Sequence, residues 1–228
     1  MYSYEPPKAS DLSIRDLKQL VQTGEGKYLE FKRIISTPEK IAREISAFAN
    51  TNGGTLLIGV DDDLSIVGVE SYHEQEFLLE QAAKDLCSPH IEYSFEILPF
   101  KKREVIIAKI KESQKKPVYM RSENGKRKVF IRIDDKSVRA SRETERLMKK
   151  SQSPVGVTFE YGPFEQKLFR FLNEYGKITV REFANLVDIS RNQASHKLVD
   201  LVSAGVLSLF NGKRYDYFTF SKQDKEEK

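Results

Sequence analysis

Apolar residues recur at helical spacing in the N-terminal half of the chain. Leu12, Leu17, Leu20 and Val21 share one face of a helix that Asp11 is expected to cap and Thr23-Gly24 to stop. Over 38–50, Ile41, Ile45 and Phe48 form a second stripe, with Thr37 as cap, Pro38 at the first helical position and Asn52-Gly53-Gly54 ending the helix through positive φ. A third helix is predicted over about 74–87. Between these, the period changes to two. Residues 27–34 turn Leu29 and Phe31 inward and Tyr28, Glu30 and Lys32 outward, which predicts a half-buried strand that exposes Glu30. The continuous apolar run 55–60 reads as a central strand that turns at 61–65 into 66–70. Segments 92–98 and 104–110 predict a hairpin with Lys101-Lys102-Arg103 at its turn, and 118–122 with 129–133 a second hairpin around Asn124-Gly125. A helix over 142–150, capped by Ser141, is expected to close this region.

The Ser-, Pro- and Gly-containing stretch 151–163 reads as a linker, after which a new pattern starts. A helix over 164–176 points Phe164, Leu168, Phe171 and Leu172 inward, and a short helix over 180–187 follows Thr179. A third starts at Ser190, where Ser190 and Gln193 have the spacing of a capping box and Ala194, Leu198, Leu201 and Val202 form the core stripe. Strands 206–210 and 215–220 flank a turn ending in Lys213-Arg214. Three helices followed by a hairpin with a basic tip resemble a winged helix-turn-helix. That resemblance implies DNA contacts from Arg191, Asn192, Ser195 and His196 on the third helix and from Lys213 and Arg214 on the wing. A dimerisation module is the competing use of such a domain. The tail 222–228 is expected to be disordered.

Composition narrows the class. The 228 residues are 39% hydrophobic and 32% charged, and no apolar stretch approaches the length of a membrane span. No secretory leader is visible at the start, and the single cysteine, Cys87, reads as a buried free thiol, so the expected location is the cytoplasm. The net charge of +4 conceals strong segregation: residues 1–98 sum to −8, residues 99–150 to +11 and residues 151–228 to +1. The basic middle favours a polyanionic partner. Lys101, Lys102, Arg103, Arg121, Lys126, Arg127, Lys128 and Arg132 are its candidate phosphate contacts, with Tyr119 and Phe130 interleaved as stacking or core residues.

Segments 24–34, 46–63, 66–69 and 129–143 together resemble the Schlafen/Alba-like domain, also called the divergent AAA domain, over roughly residues 12–150. The resemblance implies an α+β fold, a mostly antiparallel curved sheet with packed helices, joined here to a small winged-helix domain. The implied organisation is a nucleic-acid-binding domain over 11–150, the linker 151–163 and the winged helix over 164–221. Nucleolytic members carry two glutamates and an aspartate in a cleft, which would correspond to Glu25, Glu30 and Asp61 or Asp62 as catalytic residues. Crowded carboxylates call for a raised pKa or a cation, so Glu25, Glu30 and Asp62 would hold Mg²⁺ or Mn²⁺. A solvated turn through Asp62, Asp63 and Ser65 accounts for the acids equally well. The three scattered histidines and one cysteine do not suggest zinc, and no G-x-x-x-x-G-K-[ST] phosphate loop is present.

The preferred reading is a DNA-binding transcriptional regulator. A metal-dependent endoribonuclease acting on structured RNA is the alternative, and a protein-assembly module in defence or signalling the third possibility. Because vertebrate Schlafen cores join two copies of the domain and this chain has one, a homodimer is expected.

Overall fold

The computed structural model describes residues 7–122, 124–152, 161–212 and 214–221. The protein is α+β, in two units: Met1–Arg139 and Ala140–Lys228. Lys213, the tail 222–228 and most of the expected linker lie outside the described residues.

In the first unit, α1 (Ile14–Gln22) is capped by Ser13, whose hydroxyl accepts from the Asp16 N–H while the Asp16 carboxylate accepts from the Ser13 N–H. The cap expected at Asp11 is therefore displaced by two residues, because the S-x-x-D pair satisfies two otherwise unpaired donors. Asp11 instead pairs with Lys8. The chain continues through β2 (Leu29–Lys32), α2 (Pro38–Asn50) and β3 (Gly54–Ile58) as a parallel β-α-β unit. Thr37 and Pro38 start α2 as expected. Gly53 at φ +71° makes the turn into β3, where an added Cβ would lie 2.7 Å from the Ile110 carbonyl oxygen.

Helix α3 (Tyr72–Lys84) precedes the hairpin of β5 (Tyr93–Phe100) and β6 (Arg103–Ile110), and β6 pairs antiparallel with β3. With β1 (Lys8–Ala9) added parallel to β5, the sheet order is β1-β5-β6-β3-β2. Residues 66–70, expected as a strand, make only single bridges at Ile66 and Val69. There the N–H groups of Val67 and Gly68 both reach the Gly59 carbonyl at 2.9 Å, and an added Cβ on Gly59 would lie 2.9 Å from Gly68. This close backbone crossing replaces a ladder.

A four-stranded antiparallel sheet, β4 (Cys87–Ser88), β7 (Tyr119–Arg121), β8 (Arg127–Ile133) and β9 (Lys136–Arg139), completes the unit. One core fills the α1 side of the five-stranded sheet with Leu17, Val21, Phe31, Leu57 and Val105. The other joins α2 and α3 to the opposite side and to β7 through Ile45, Phe48, Ile106, Leu79 and Met120. Cys87 is buried there, and dehydration pushes its thiol up to about 12. Asn50 ties α2 to the smaller sheet, accepting from the Val118 N–H at 2.7 Å and donating to the Val118 and Phe130 carbonyls at 2.8 and 3.0 Å.

The second unit comprises α4 (Arg142–Lys150), α5 (Pro163–Tyr175), α6 (Val180–Val187), α7 (Arg191–Ser203) and the hairpin of β10 (Leu207–Phe210) and β11 (Tyr217–Phe220). Leu168, Phe183, Leu198 and Phe218 are fully buried in its core. The expected capping box at Ser190 and Gln193 is formed. Helix α4, expected to close the first domain, falls in the second unit because its polar face bonds to α7, as described below.

Candidate nucleic-acid interface

The strand alternation that points Leu29 and Phe31 to one core points Glu30 to the other face of β2, which is covered rather than solvated. Glu30 is only 6% exposed, correcting the expectation of an exposed carboxylate. Its Oε2 accepts from Arg132 Nη1 at 2.9 Å, and its Oε1 from the Lys32 ammonium. Arg132 also reaches Ser137 Oγ at 3.1 Å, the Gly26 carbonyl at 2.7 Å and Glu44 Oε2 at 3.4 Å. Its guanidinium lies over the Phe48 ring, 4.7 Å from the centroid. Glu44 is held from its other side by Arg43, with Nε at 3.0 Å and Nη2 at 2.7 Å. Burial pushes the Glu30 carboxyl above the usual carboxylate range, against the hydrogen bond and charge of Lys32, while Glu44 and Glu25 add repulsion.

Arg132 is thus a buried structural cation, its side chain 0% exposed, and the expected phosphate contact is withdrawn. The network had a sequence signal in Glu44, which sits at i+3 between Ile41 and Phe48 and so shares their inward face.

The other acids are engaged separately. Glu25 accepts the Phe31 N–H at 2.8 Å through Oε1. Asp61 pairs with Arg33 at 2.7 Å and accepts the Asp62 N–H at 3.0 Å, while Asp62 itself is exposed. Asp63 accepts the Ser65 N–H at 2.9 Å, and its hydrogen bonds to Ser65 hold its carboxyl below the usual range. In the sheet register Glu30 faces Leu56, five residues before Asp61. The structure therefore brings Glu25 near Glu30 but does not add Asp61 or Asp62 to form a three-carboxylate centre. Among the described residues no group of three His, Cys, Asp or Glu side chains is placed to hold a metal ion. With an ammonium and a guanidinium on the two Glu30 oxygens, this donor set does not fit Mg²⁺ or Mn²⁺, which need free carboxylate oxygens.

The cationic hairpins project from the two sheets. At the β5–β6 turn Lys101 adopts φ +57°, with its ammonium 5.3 Å from the Phe100 centroid, and Lys102 is exposed. Arg103 pairs with Glu70 at 2.9 Å. Arg33, Lys101, Lys102 and Arg103 surround a pocket of about 570 Å³ floored by Ile66, Val67 and Phe100. On the second hairpin Arg121 faces Arg127 directly across the strands, and Lys128 faces Met120. Arg121, Lys126 and Arg127 are exposed, Lys128 is half-buried, and none of the four has a carboxylate partner among the described residues. The Arg127 guanidinium rests over Tyr119, 5.2 Å from the centroid. In the same unit Arg33, Arg103, Lys109 and Lys111 are ion-paired.

In the second unit α4 lies against the outer face of α7. Arg146 donates to Ser195 Oγ through Nη1 and to Asn192 Oδ1 through Nη2, the latter at 2.7 Å. Ser195 in turn donates to Glu143, and Lys150 pairs with Asp200. Ser195, expected to meet nucleic acid, is 2% exposed and holds α4 instead. Arg191, Asn192, His196 and Arg214 are exposed.

The first unit combines, within an α+β fold, a buried charge network and a basic hairpin whose cations have no carboxylate partner among the described residues. The family model described as Schlafen, AlbA_2 matches residues 25–141, and the chain belongs to that family. This membership links the protein to nucleic-acid-related function. The N-terminal domain of a RecG-related protein of Nitrosomonas europaea is similar at 21% identity over 49% of this chain and 82% of that one, with a TM-score of 0.42. A protein of Corynebacterium diphtheriae is similar at 14% identity over 87% of this chain, with a TM-score of 0.43, and this chain spans 36% of it. No curated protein matches the chain. No helix among the described residues is long and apolar enough to cross a membrane.

Proposed function

We propose that the protein is a cytoplasmic DNA-binding regulator of transcription, acting as a homodimer. The β7–β8 hairpin grips the phosphate backbone, and the C-terminal unit works as a winged helix-turn-helix. One observation carries this reading. Arg121 and Arg127 face each other across the hairpin, flanked by Lys126 and Lys128, without a neutralising carboxylate among the described residues. Like charges on directly opposed residues of a strand pair repel one another, and an external polyanion relieves that repulsion. Lys101 and Lys102 on the first hairpin, with His196, Lys213 and Arg214 in the second unit, add further cations to the same role.

Duplex binding measured against salt concentration tests the reading. Each phosphate neutralised contributes about −0.9 to the slope of log K against log salt, so Arg121→Gln with Arg127→Gln makes the slope shallower by about 1.8. An unchanged slope, or no salt-dependent duplex binding by the wild type, refutes the proposal. Structured RNA as competitor separates the two nucleic acids: if tRNA displaces duplex at equal or lower concentration, the target is RNA.

A further inference from the structure

A cleft of about 870 Å³ opens within the second unit, where the starts of α4, α6 and α7 meet the loop before β11. This size lies within the range of about 300–1,000 Å³ common to small-molecule sites. Its lining carries Arg142, Arg146, Arg181 and Arg191 together with Glu143, Glu182 and Asp216. The acids are already committed. Glu182 accepts from the Thr179 N–H and hydroxyl at 2.8 and 2.9 Å, Asp216 accepts from Asn211 Nδ2 at 3.0 Å and from Ser141, and Glu143 accepts from Ser195. Arg146 is committed to Ser195 and Asn192. Arg142, Arg181 and Arg191 make no hydrogen bond or ion pair among the described residues.

Three guanidinium groups without partners therefore border one concavity, each on the first or second residue of a helix, where the helix dipole adds to their attraction for an anion. Beside them Tyr215 is 63% exposed and offers a flat aromatic face.

We propose that this cleft binds a phosphorylated small molecule of nucleotide size, its phosphate taken by Arg142, Arg181 and Arg191 and its ring laid on Tyr215. A compact phosphate suits the site better than an extended backbone does. A cleft of about 870 Å³ has the dimensions of a small-molecule site, and its acids are engaged by Thr179, Asn211, Ser141 and Ser195, which leaves Arg142, Arg181 and Arg191 to meet a phosphoryl group. Guanidinium groups bind phosphate oxygens through paired N–H donors, and an aromatic face stacks on a base. Because the ligand touches the first turns of both α4 and α7, it tightens the clasp that Arg146 already makes between them.

The test uses the full chain and calorimetric titration with two probes, inorganic pyrophosphate and ADP. One saturable site per chain is expected for each. Arg142→Gln with Arg181→Gln, both exposed positions outside the folded core, weakens both probes by roughly tenfold or more, as loss of charge-assisted hydrogen bonds requires. Tyr215→Ala weakens ADP and leaves pyrophosphate unchanged. Lys18→Gln, at an exposed position of α1 on the other unit, alters neither. The proposal is overturned if neither probe saturates, if the arginine pair leaves both affinities intact, or if ADP and pyrophosphate respond alike to Tyr215→Ala. It is equally overturned if the arginine pair lowers duplex affinity while pyrophosphate fails to bind the wild type, since the occupant is then the DNA backbone. Failure of the duplex reading is a separate result, seen only in the salt dependence of DNA binding.

Discussion

Replacing Arg132 with methionine removes the central charge of a buried network while keeping much of the side-chain volume. The guanidinium is fully enclosed and bonds Glu30 at 2.9 Å, Ser137 at 3.1 Å and the Gly26 carbonyl at 2.7 Å. Breaking a buried ion pair by deleting one partner typically destabilises by about 3–5 kcal/mol, because the surviving charge stays dehydrated. Here Lys32 still serves Glu30 and Arg43 still serves Glu44, so the expected loss is near the lower end, about 3 kcal/mol. The sign with pH follows from the carboxylates. Glu30 already titrates above its ordinary value, and loss of Arg132 raises it further, so acidification neutralises the orphaned group and narrows the gap between variant and wild type. Hydrogen exchange of the α2 and β8 amides reads the stability of this region apart from the second unit. A triple variant adding Glu30→Gln and Glu44→Gln removes the orphaned charges and recovers part of the loss. A deficit below about 1 kcal/mol at pH 7, or one that does not shrink toward pH 5, refutes the account of Arg132 as the counter-ion of the buried acids.

Two further outcomes follow from the same region. Since the folded-state pKa of Glu30 is raised, the native state binds its proton more tightly than the unfolded chain does, and stability falls as pH rises from the ordinary carboxylate value through the raised one; Glu30→Gln abolishes that component in pH-dependent unfolding. Addition of Mn²⁺ to the protein leaves its melting temperature unchanged, because the Glu30 oxygens are already bonded to Lys32 and Arg132, and a concentration-dependent rise in the melt contradicts this assignment of the acids.

Periodicity made most of this architecture readable. The Thr37-Pro38 start of α2, the Asn124-Gly125 hairpin and the Ser190–Gln193 box are local devices whose chemistry acts within a few residues, and all three form. What escaped depends on partners distant in the chain. Strands β1 and β4 are two residues long and show no alternation, and β9 is joined to β8 by a turn at Asp134, φ +53°, that no glycine announces. Alternation in β2 correctly separated Glu30 from Phe31, but a pattern of period two does not reveal what covers each face. The same holds for Ser195: helical spacing placed it off the core stripe, and only the packing of α4 turns that position inward. The carboxylates of the candidate centre were individually visible. Their separate partners, Arg132, Arg33 and the Phe31 amide, came from other segments or from the backbone.

The like-charged residues Arg121 and Arg127, opposed in the strand register, give dissolved electrolyte two opposed roles. Mobile ions that screen their repulsion make the empty hairpin more comfortable, so the free protein gains rigidity at that edge as buffer concentration rises. The same ions diminish the reward for engaging an anionic chain, and the conditions that best preserve the purified molecule are then those under which it holds its partner most weakly.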